Sequence, residues 1–539
     1  MKYSIIIFLF NLSALISQVP IDYHFSSTHN TLNRYEHITE DGLSSNSIVD
    51  IRFLDSTYFL LSTASGLSYV HIYDLHPDSV SFGSFNKDSV SLPRGGVPAL
   101  AVKENIIVIS GILDTTTITT GEEQMGTGIS YSIDEGESWH YLYQPIDEIP
   151  KSGLYHSISW GEQDISTLAV TTEISNISYD LSIGEDHIYA ASWAGGLRRY
   201  GPLSSEQKSW QIIPLPIDSD TNLMCGLIDL ETYELNPNDP INGGNHNHKG
   251  FSVYVINDTI WAGTANGINK GILKSGCINW EYHYTSKTGN ETEFGKISGN
   301  WVIGFNNQRL ENGTERFWAI TWAGEGSNEK HALSYTDNGG ESWHITYPSG
   351  YSEKVYNLHS NENRIWAASE SGLYVSEDGQ HWERYSRPID TLSGEEILSE
   401  SVLSVYHQDN WLWVGTVDGI SIIAENEITT TIHRFWEPAN PFSAYPNPFL
   451  INDYNQVGGD GQVRFIYSNP ENDKSSIDVF DFSMDRVVQL NHTNMVNNKE
   501  SEIIWNGRNE YGDKVANGVY FCRLSLNGQT YWTKLAVVN

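Results

Sequence analysis

The chemistry-bearing residues of this 539-residue chain are first its acids, 67 Asp and Glu against 31 Lys and Arg. Among so many carboxylates some must face each other, and a facing pair is what a glycosidase needs as acid and base or nucleophile. The abundance makes that signal unspecific. Asn245-His246-Asn247-His248-Lys249 sets two imidazoles at an i, i+2 spacing. On a strand both rings would share one face, a spacing that suits a metal ion. No further ligands accompany them in sequence, so His246 and His248 are read as binding candidates on a polar surface loop, with no metal expected. Trp160, Trp193 and Trp322 are candidates for stacking on sugar rings, with packing between strands as the alternative. Arg198-Arg199 follows Gly195-Gly196-Leu197 and reads as a solvated or ion-paired strand end.

Other chemistries lack their signatures. The sequence has no phosphate-cradling P-loop, no dinucleotide-binding glycine pattern, no nucleophile elbow and no Cys/His zinc arrangement. No cofactor is expected. The formal charge of −36 repels polyphosphate and anionic lipid, so nucleic-acid binding is disfavoured. Cys225, Cys277 and Cys522 make no disulfide framework. A Cys225–Cys277 bridge and buried free thiols are both open.

The elements that must carry these residues announce themselves as a repeat. A hydrophobic pair, small residues, then glycine and an apolar residue recur at Leu60–Leu67, Ile188–Leu197, Ile260–Ile268, Ile365–Leu373 and Leu412–Ile420. Weaker copies stand at Ile106–Gly111 and Phe317–Trp322. Each reads as a strand, a glycine turn and a second strand. The small residues suit a crowded inner strand near a propeller axis, and the last copies fit the ~40–50-residue spacing of propeller blades. Seven copies predict about seven blades, with six or eight as neighbouring counts. A second motif, serine or threonine then aspartate or asparagine, glycine and tryptophan, covers Ser132–Trp139, Thr336–Trp343 and Ser376–Trp382. In it Asp134, Asn338 and Asp378 can bond the backbone of their own turn, while Trp139, Trp343 and Trp382 pack beneath. That assigns them a structural role.

These motifs resemble the Asp-box (BNR) propellers of sialidases, sortilin-type receptors, xyloglucanases and a photosystem assembly factor. Glu40–Ile48 and Trp411–Thr416 are also similar to periplasmic two-component-regulator propeller repeats. The resemblance spans roughly residues 25–435 and implies a fold more than an activity. A sialidase would add an arginine cluster, a tyrosine nucleophile and an aspartic acid. Arg34, Arg52, Arg94, Arg309, Arg316, Arg364 and Arg384 are present without the arginine signature of a sialidase N-terminal blade.

The ends of the chain read differently. Residues 1–20 have the short positive start and apolar run of a secretory signal. Residues 436–444 form a proline-marked linker, and 445–539 hold short strand-like runs of a length that suits an Ig-like sandwich. The run from Trp505 to Tyr520 resembles the flagellar hook-capping (FlgD) Ig-like domain. With Tyr445-Pro446-Asn447-Pro448-Phe449 and the terminal Lys534-Leu535-Ala536, the region is similar to a type IX secretion C-terminal sorting domain. Pro446, Asn447, Pro448, Gly512, Gly518, Tyr520 and Lys534 carry that likeness. It implies export across the outer membrane of a Bacteroidetes-like bacterium, with the secretion machinery as partner.

The expectation is therefore all-β: an about seven-bladed β-propeller over 25–435 followed by an Ig-like β-sandwich. The protein is expected to be secreted or held at the cell surface, monomeric, without a transmembrane anchor, and to bind a glycan, peptide or protein without catalysis. A glycan-active hydrolase, sialidase-like or another glycosidase, is the alternative. The two part at the axis, where a hydrolase should show a deep pocket with two carboxylates roughly 5–9 Å apart.

Overall fold

The computed structural model describes residues 42–538 except 56, 74–79, 86–90, 118–120, 148–154, 172–175, 275, 288–295, 325, 327, 392–393, 395, 426–428, 435–441, 453–455, 458–459, 470–472, 492, 496–499 and 527. The leader read at 1–20 and most of the linker read at 436–444 lie outside the described residues.

Strands dominate, and among the described residues helix is limited to the single 3-10 turns Pro240–Asn242 and His246–His248. Seven four-stranded antiparallel sheets follow one another, over 48–84, 100–142, 178–213, 250–284, 301–346, 355–384 and 402–433. Each is built from four consecutive strands in simple order, the meander of a propeller blade. The first strands are Ile48–Phe53, Leu100–Lys103, Ser178–Ile183, Gly250–Ile256, Trp301–Arg309, Val355–Ser360 and Val402–Gln408. Neighbouring first strands touch all the way round, and the last touches the first, so the ring is closed. The protein is a seven-bladed β-propeller.

The repeat marks the second strand of every blade, not the innermost one. Tyr58–Thr63, Ile188–Ser192, Thr259–Thr264, Ile365–Ser369 and Trp411–Thr416 are these strands in five blades; the weaker copies fall on Ile106–Thr117 and Glu315–Trp322. Small side chains are needed there because a blade is covered on both faces. Ile188–Ser192 and Ile365–Ser369 are buried at every position. The turn that ends the strand is specified locally. Thr63, Thr264, Ser369 and Thr416 each donate a hydroxyl hydrogen bond to the carbonyl three residues on, at 2.8–3.1 Å, and accept the N–H two residues on. The glycine at the third position, Gly267 for example, sits at φ +103, a conformation that L side chains rarely adopt.

The core lies between blades. One cluster joins Ile48, Ile51, Phe59 and Leu61 of the first blade to Trp413, Ile420 and Ile422 of the last. Equivalent clusters fill each other junction, with Trp318, Trp366 and Trp261 as large buried members. Buried hydroxyls stitch the same junctions. Ser62 donates to Val97 O at 2.5 Å, Ser110 to Ser178 O at 2.8 Å, Ser252 to Val302 O at 2.7 Å and Ser404 to Ile48 O at 2.8 Å. The last of these closes the ring.

Two insertions cover the third and fourth blades. The hairpin Tyr155–Trp160 and Gln163–Leu168 precedes the third blade, and an irregular stretch over 214–249 separates the third from the fourth. Both pack into one core with Trp280, Ile278 and Leu197. Cys225 of the irregular stretch is disulfide-bonded to Cys277 of the fourth blade, which resolves the two alternatives left by the sequence. Cys522 is a buried free thiol.

Beyond the ring, residues 442–538 form two facing sheets, of four and five strands. Their inner faces meet through Phe449, Phe465, Tyr467, Trp505, Cys522 and Leu535, giving a β-sandwich core.

Candidate functional site

Two cavities compete for a ligand. The first is the propeller axis. Six of the seven first strands carry a register irregularity near their start, placed before Asp50, Asp180, Ser252, Gly304, Asn357 and Ser404. Bulges re-aim side chains. The channel lined by Asp50, Arg52, Tyr179, Asp180, Phe305 and Asn357 encloses about 120 Å³. That is below the ~300–1,000 Å³ of ordinary ligand sites.

Its polar groups are largely committed to each other. Arg52 pairs with Asp50 at 2.9 Å, and Asp50 Oδ1 accepts hydrogen bonds from Ile51 N at 2.9 Å and Asn357 Nδ2 at 3.1 Å. Burial raises the Asp50 pKa in spite of the arginine. Asp180 accepts the backbone N–H of Leu181 and of Val253, each at 2.9 Å. Burial pushes its pKa up to about 7 against those two N–H groups and Arg52, and the charge of Asp50 adds to the rise. The axis thus holds one arginine, the Asp50 carboxyl paired with it, and in Asp180 an acid near its midpoint at neutral pH. Asn357 Oδ1 finds no hydrogen-bond partner there.

The second cavity opens on the face of the fourth and fifth blades and holds about 580 Å³. It falls within the ~300–1,000 Å³ of ordinary ligand sites. The insertion supplies Asp218, Asp220 and His246; the blades supply Asn266, His283, Asn300 and Trp301; Glu329 closes one side. Asp218 builds its own wall: its carboxylate accepts His246 N at 3.0 Å and Asn247 N at 2.7 Å. Glu329 likewise accepts Asn300 N at 3.1 Å and Asn300 Nδ2 at 2.8 Å. His283 is held between Asn266 O at 2.7 Å and Asp220 O at 3.1 Å, and burial lowers its pKa. The result is a preformed, polar, acidic bowl with one indole at its edge.

The sequence candidates distribute unevenly over these cavities. His246 lines the face pocket. His248 does not share its face, because the pair lies on a 3-10 turn rather than a strand. It is 1 % exposed, accepts Asn236 N at 2.9 Å through Nδ1 and contacts Leu215 O at 3.0 Å through Nε2. Burial brings its pKa down to about 4, so it is a neutral structural imidazole. Among the described residues no group of three or more His, Cys, Asp or Glu is arranged to hold a metal.

Trp193 stacks on Phe251 at 5.2 Å, lies 6.4 Å from Trp301 and carries Lys249 Nζ 4.4 Å from its ring. Its ring is engaged by protein. Trp160 is buried with the Arg199 guanidinium 5.2 Å away, and Trp322 is buried with Nε1 donating to Val355 O. Neither can stack on a sugar, since packing occupies both. Arg198 and Arg199 are buried rather than solvated: Arg198 pairs with Asp147 at 2.7 Å, and Arg199 bonds Gln211 and Gly276 O. Trp301, the aromatic that does reach the pocket, carries no local signal in the sequence.

The Asp-box-like turns lie between the third and fourth strands of their blades, away from both cavities. Asp134 accepts the Ser138 hydroxyl, Ser138 N and the Ser132 hydroxyl, which hold its pKa down to about 2. Asn338 accepts Ser342 N at 3.0 Å, and Asp378 accepts Gln380 N and His381 N. Trp139 bonds Gly136 O, Trp343 is buried and Trp382 bonds Thr346 Oγ1. In the sandwich, Asn447 donates to Lys534 O and accepts Ala536 N, tying Pro446 and Pro448 to the last strand. Gly512 O accepts Arg508, Gly518 opens a strand and Tyr520 donates to Ala516 O.

No protein-family model matches this chain, and the search of curated proteins found no match. Solved structures do match in fold. A GH74 enzyme of Niastella koreensis is similar over 92 % of this chain and 73 % of its own, at 11 % identity and TM-score 0.41. YCF48 bound to D1 peptide is similar over 74 % and 94 %, at 15 % identity and TM-score 0.36. The WD40 β-propeller domain of Doa1 is similar over 70 % and 91 %, at 10 % identity and TM-score 0.37. These likenesses concern shape alone.

Proposed function

We propose that this is an exported, non-catalytic binding propeller whose ligand enters the face pocket of the fourth and fifth blades. The contrast between the two cavities carries the reading. The axis, where a propeller hydrolase would work, encloses about 120 Å³ and its carboxylates are committed to Arg52, Asn357 and backbone N–H groups. The face pocket is about five times larger and offers carboxylates, amides, an imidazole and one indole edge, the groups that grip a hydroxylated chain. A glycan is the ligand class these groups suit best, with a polar peptide or protein loop next. Export rests on the sequence of residues 1–20, and sorting on the likeness of residues 445–539 to a type IX secretion domain.

A glycan panel probed by calorimetry tests this reading. Binding to one member without hydrolysis, weakened at least about tenfold by Trp301→Ala, is the expected outcome. Turnover of any member, abolished by Asp180→Asn, would replace it with the hydrolase reading, which the axial acid near its midpoint favours.

A further inference from the structure

A buried four-charge cluster joins the propeller to the C-terminal sandwich. Asp418, in the turn after the second strand of the last blade, is fully buried. Arg434, at the end of that blade, reaches its carboxylate through Nε and Nη2, each at 3.2 Å. Arg464 comes from the other side, out of the sandwich strand Val463–Ser468. It forks onto the same carboxylate, Nε to Oδ1 at 3.2 Å and Nη2 to Oδ2 at 3.1 Å, and pairs behind with Glu502. Both arginines also donate to Glu396 O, at 2.8 and 2.9 Å. Beside them Tyr445 of the sandwich donates to Val417 O at 3.0 Å.

The arithmetic of charge is informative. Two arginines and two carboxylates cancel, and Arg434, Arg464, Glu502 and Asp418 are all under 5 % exposed. Charges are found dry only when paired in good geometry, and a loosely tethered module could not keep water from them. Two guanidinium groups on one carboxylate also hold the Asp418 pKa below its usual value although burial alone would raise it. The contact is therefore a formed interface rather than a tether.

We infer that the sandwich is a docked partner of the last blade that stays bound when the backbone between Arg434 and Phe442 is cut. Release of this module from the propeller would then need more than proteolysis. The test uses the full chain with a protease site placed in 435–441, cleaved after folding and verified by mass. Gel filtration at neutral pH should show both fragments co-eluting. Arg464→Met should speed dissociation about tenfold or more, and Tyr445→Phe should speed it less. Arg486→Met, which removes a half-exposed arginine paired with Glu510 on the sandwich surface, should leave co-elution unchanged. Separation of the unsubstituted fragments on cleavage would overturn the inference. Equal release by Arg464→Met and Arg486→Met would also overturn it, because the cluster would then not be what holds the module.

Discussion

Asn357 Nδ2 donates to Asp50 Oδ1 at 3.1 Å across 307 residues of sequence, joining the sixth blade to the first. The seventh blade lies between them and places only Ser404 at the matching position of its first strand. The bond therefore spans the axis rather than a blade junction. It works beside Ser404 Oγ, which donates to Ile48 O and seals the seventh blade to the first. Among the described residues no strand is exchanged between the ends of the ring, and the junction is held by such bonds and by the Trp413 and Phe59 rings stacked at 4.3 Å.

Asn357→Ala leaves the buried Asp50 carboxylate short of a donor. Leaving a buried polar group short of a hydrogen-bond partner costs about 1–3 kcal/mol. Chemical denaturation should show that loss in one cooperative transition with an unchanged slope. A normal midpoint in the variant would mean that water replaces the amide at no cost and that the bond does not help close the ring.

Asp180 makes stability depend on pH in the direction opposite to a salt-bridged acid. Its folded pKa is raised to about 7 from 3.8, so between those values the folded state holds a proton that the unfolded chain has lost. Stability from this group is complete below the ordinary carboxylate range and is lost as pH rises through about 7. At ~1.4 kcal/mol per unit the loss is on the order of 4 kcal/mol. Asp180→Asn should flatten the fall in melting temperature between about pH 4 and 8, the window that the unfolded and folded pKa values bound. It should also melt above the unsubstituted protein at the alkaline end. Equal slopes would refute the assignment.

Asn338 sits in an Asp-box-like turn and separates scaffold from site. Its Oδ1 accepts Ser342 N and the Thr336 hydroxyl, and its Nδ2 donates to Ser342 Oγ. Asn338→Ala removes that local network at a cost of about 1 kcal/mol. Ligand affinity in the face pocket should not change, because the turn lies at the outer end of its blade. A variant that folds normally and loses binding would assign these turns a direct role.

How much of this was legible follows from where each signal is written. The copies mark the second strand of all seven blades: four end in a hydroxyl-glycine turn that is local chemistry, as at Thr264 and Gly267, and the others show through the apolar and small residues of the strand itself. They did not locate the first strands. Asp50, Asp180 and Asn357 belong to no turn motif, and the channel exists only when strands 307 residues apart are brought together. The same limit applies to the pocket: Trp301 becomes its aromatic only because the 214–249 insertion folds over the blade beside it. The aromatics that stood out in sequence, Trp160 and Trp322, stood out as strand residues and are buried as such. His248 reads as part of a polar surface loop, and the loop is there, but its ring is folded inward onto Asn236 and Leu215, contacts that nothing local in the sequence announces.

The Cys225–Cys277 bridge should matter to the pocket more than to the ring. It closes a 52-residue separation and fastens the insertion that carries Asp218, Asp220 and His246 to the fourth blade. The hairpin turn at Gly161 packs against it, since a Cβ there would meet Cys225 Sγ at 2.8 Å. Loop-closure entropy sets an upper value of about 4 kcal/mol for such a bridge. The blades on either side keep their own interblade cores, so opening the bridge frees the insertion without unravelling the ring. Mild reduction should expose two reactive thiols. Cys522 should stay silent because it is buried and its pKa is pushed up to about 12. Hydrogen exchange should quicken across 214–249 while the first strands stay protected, and ligand affinity should fall. Cys225→Ser with Cys277→Ser should reproduce all three changes without reductant. If exchange instead quickened equally in every blade, the bridge would be a fastening of the whole propeller and not of its pocket.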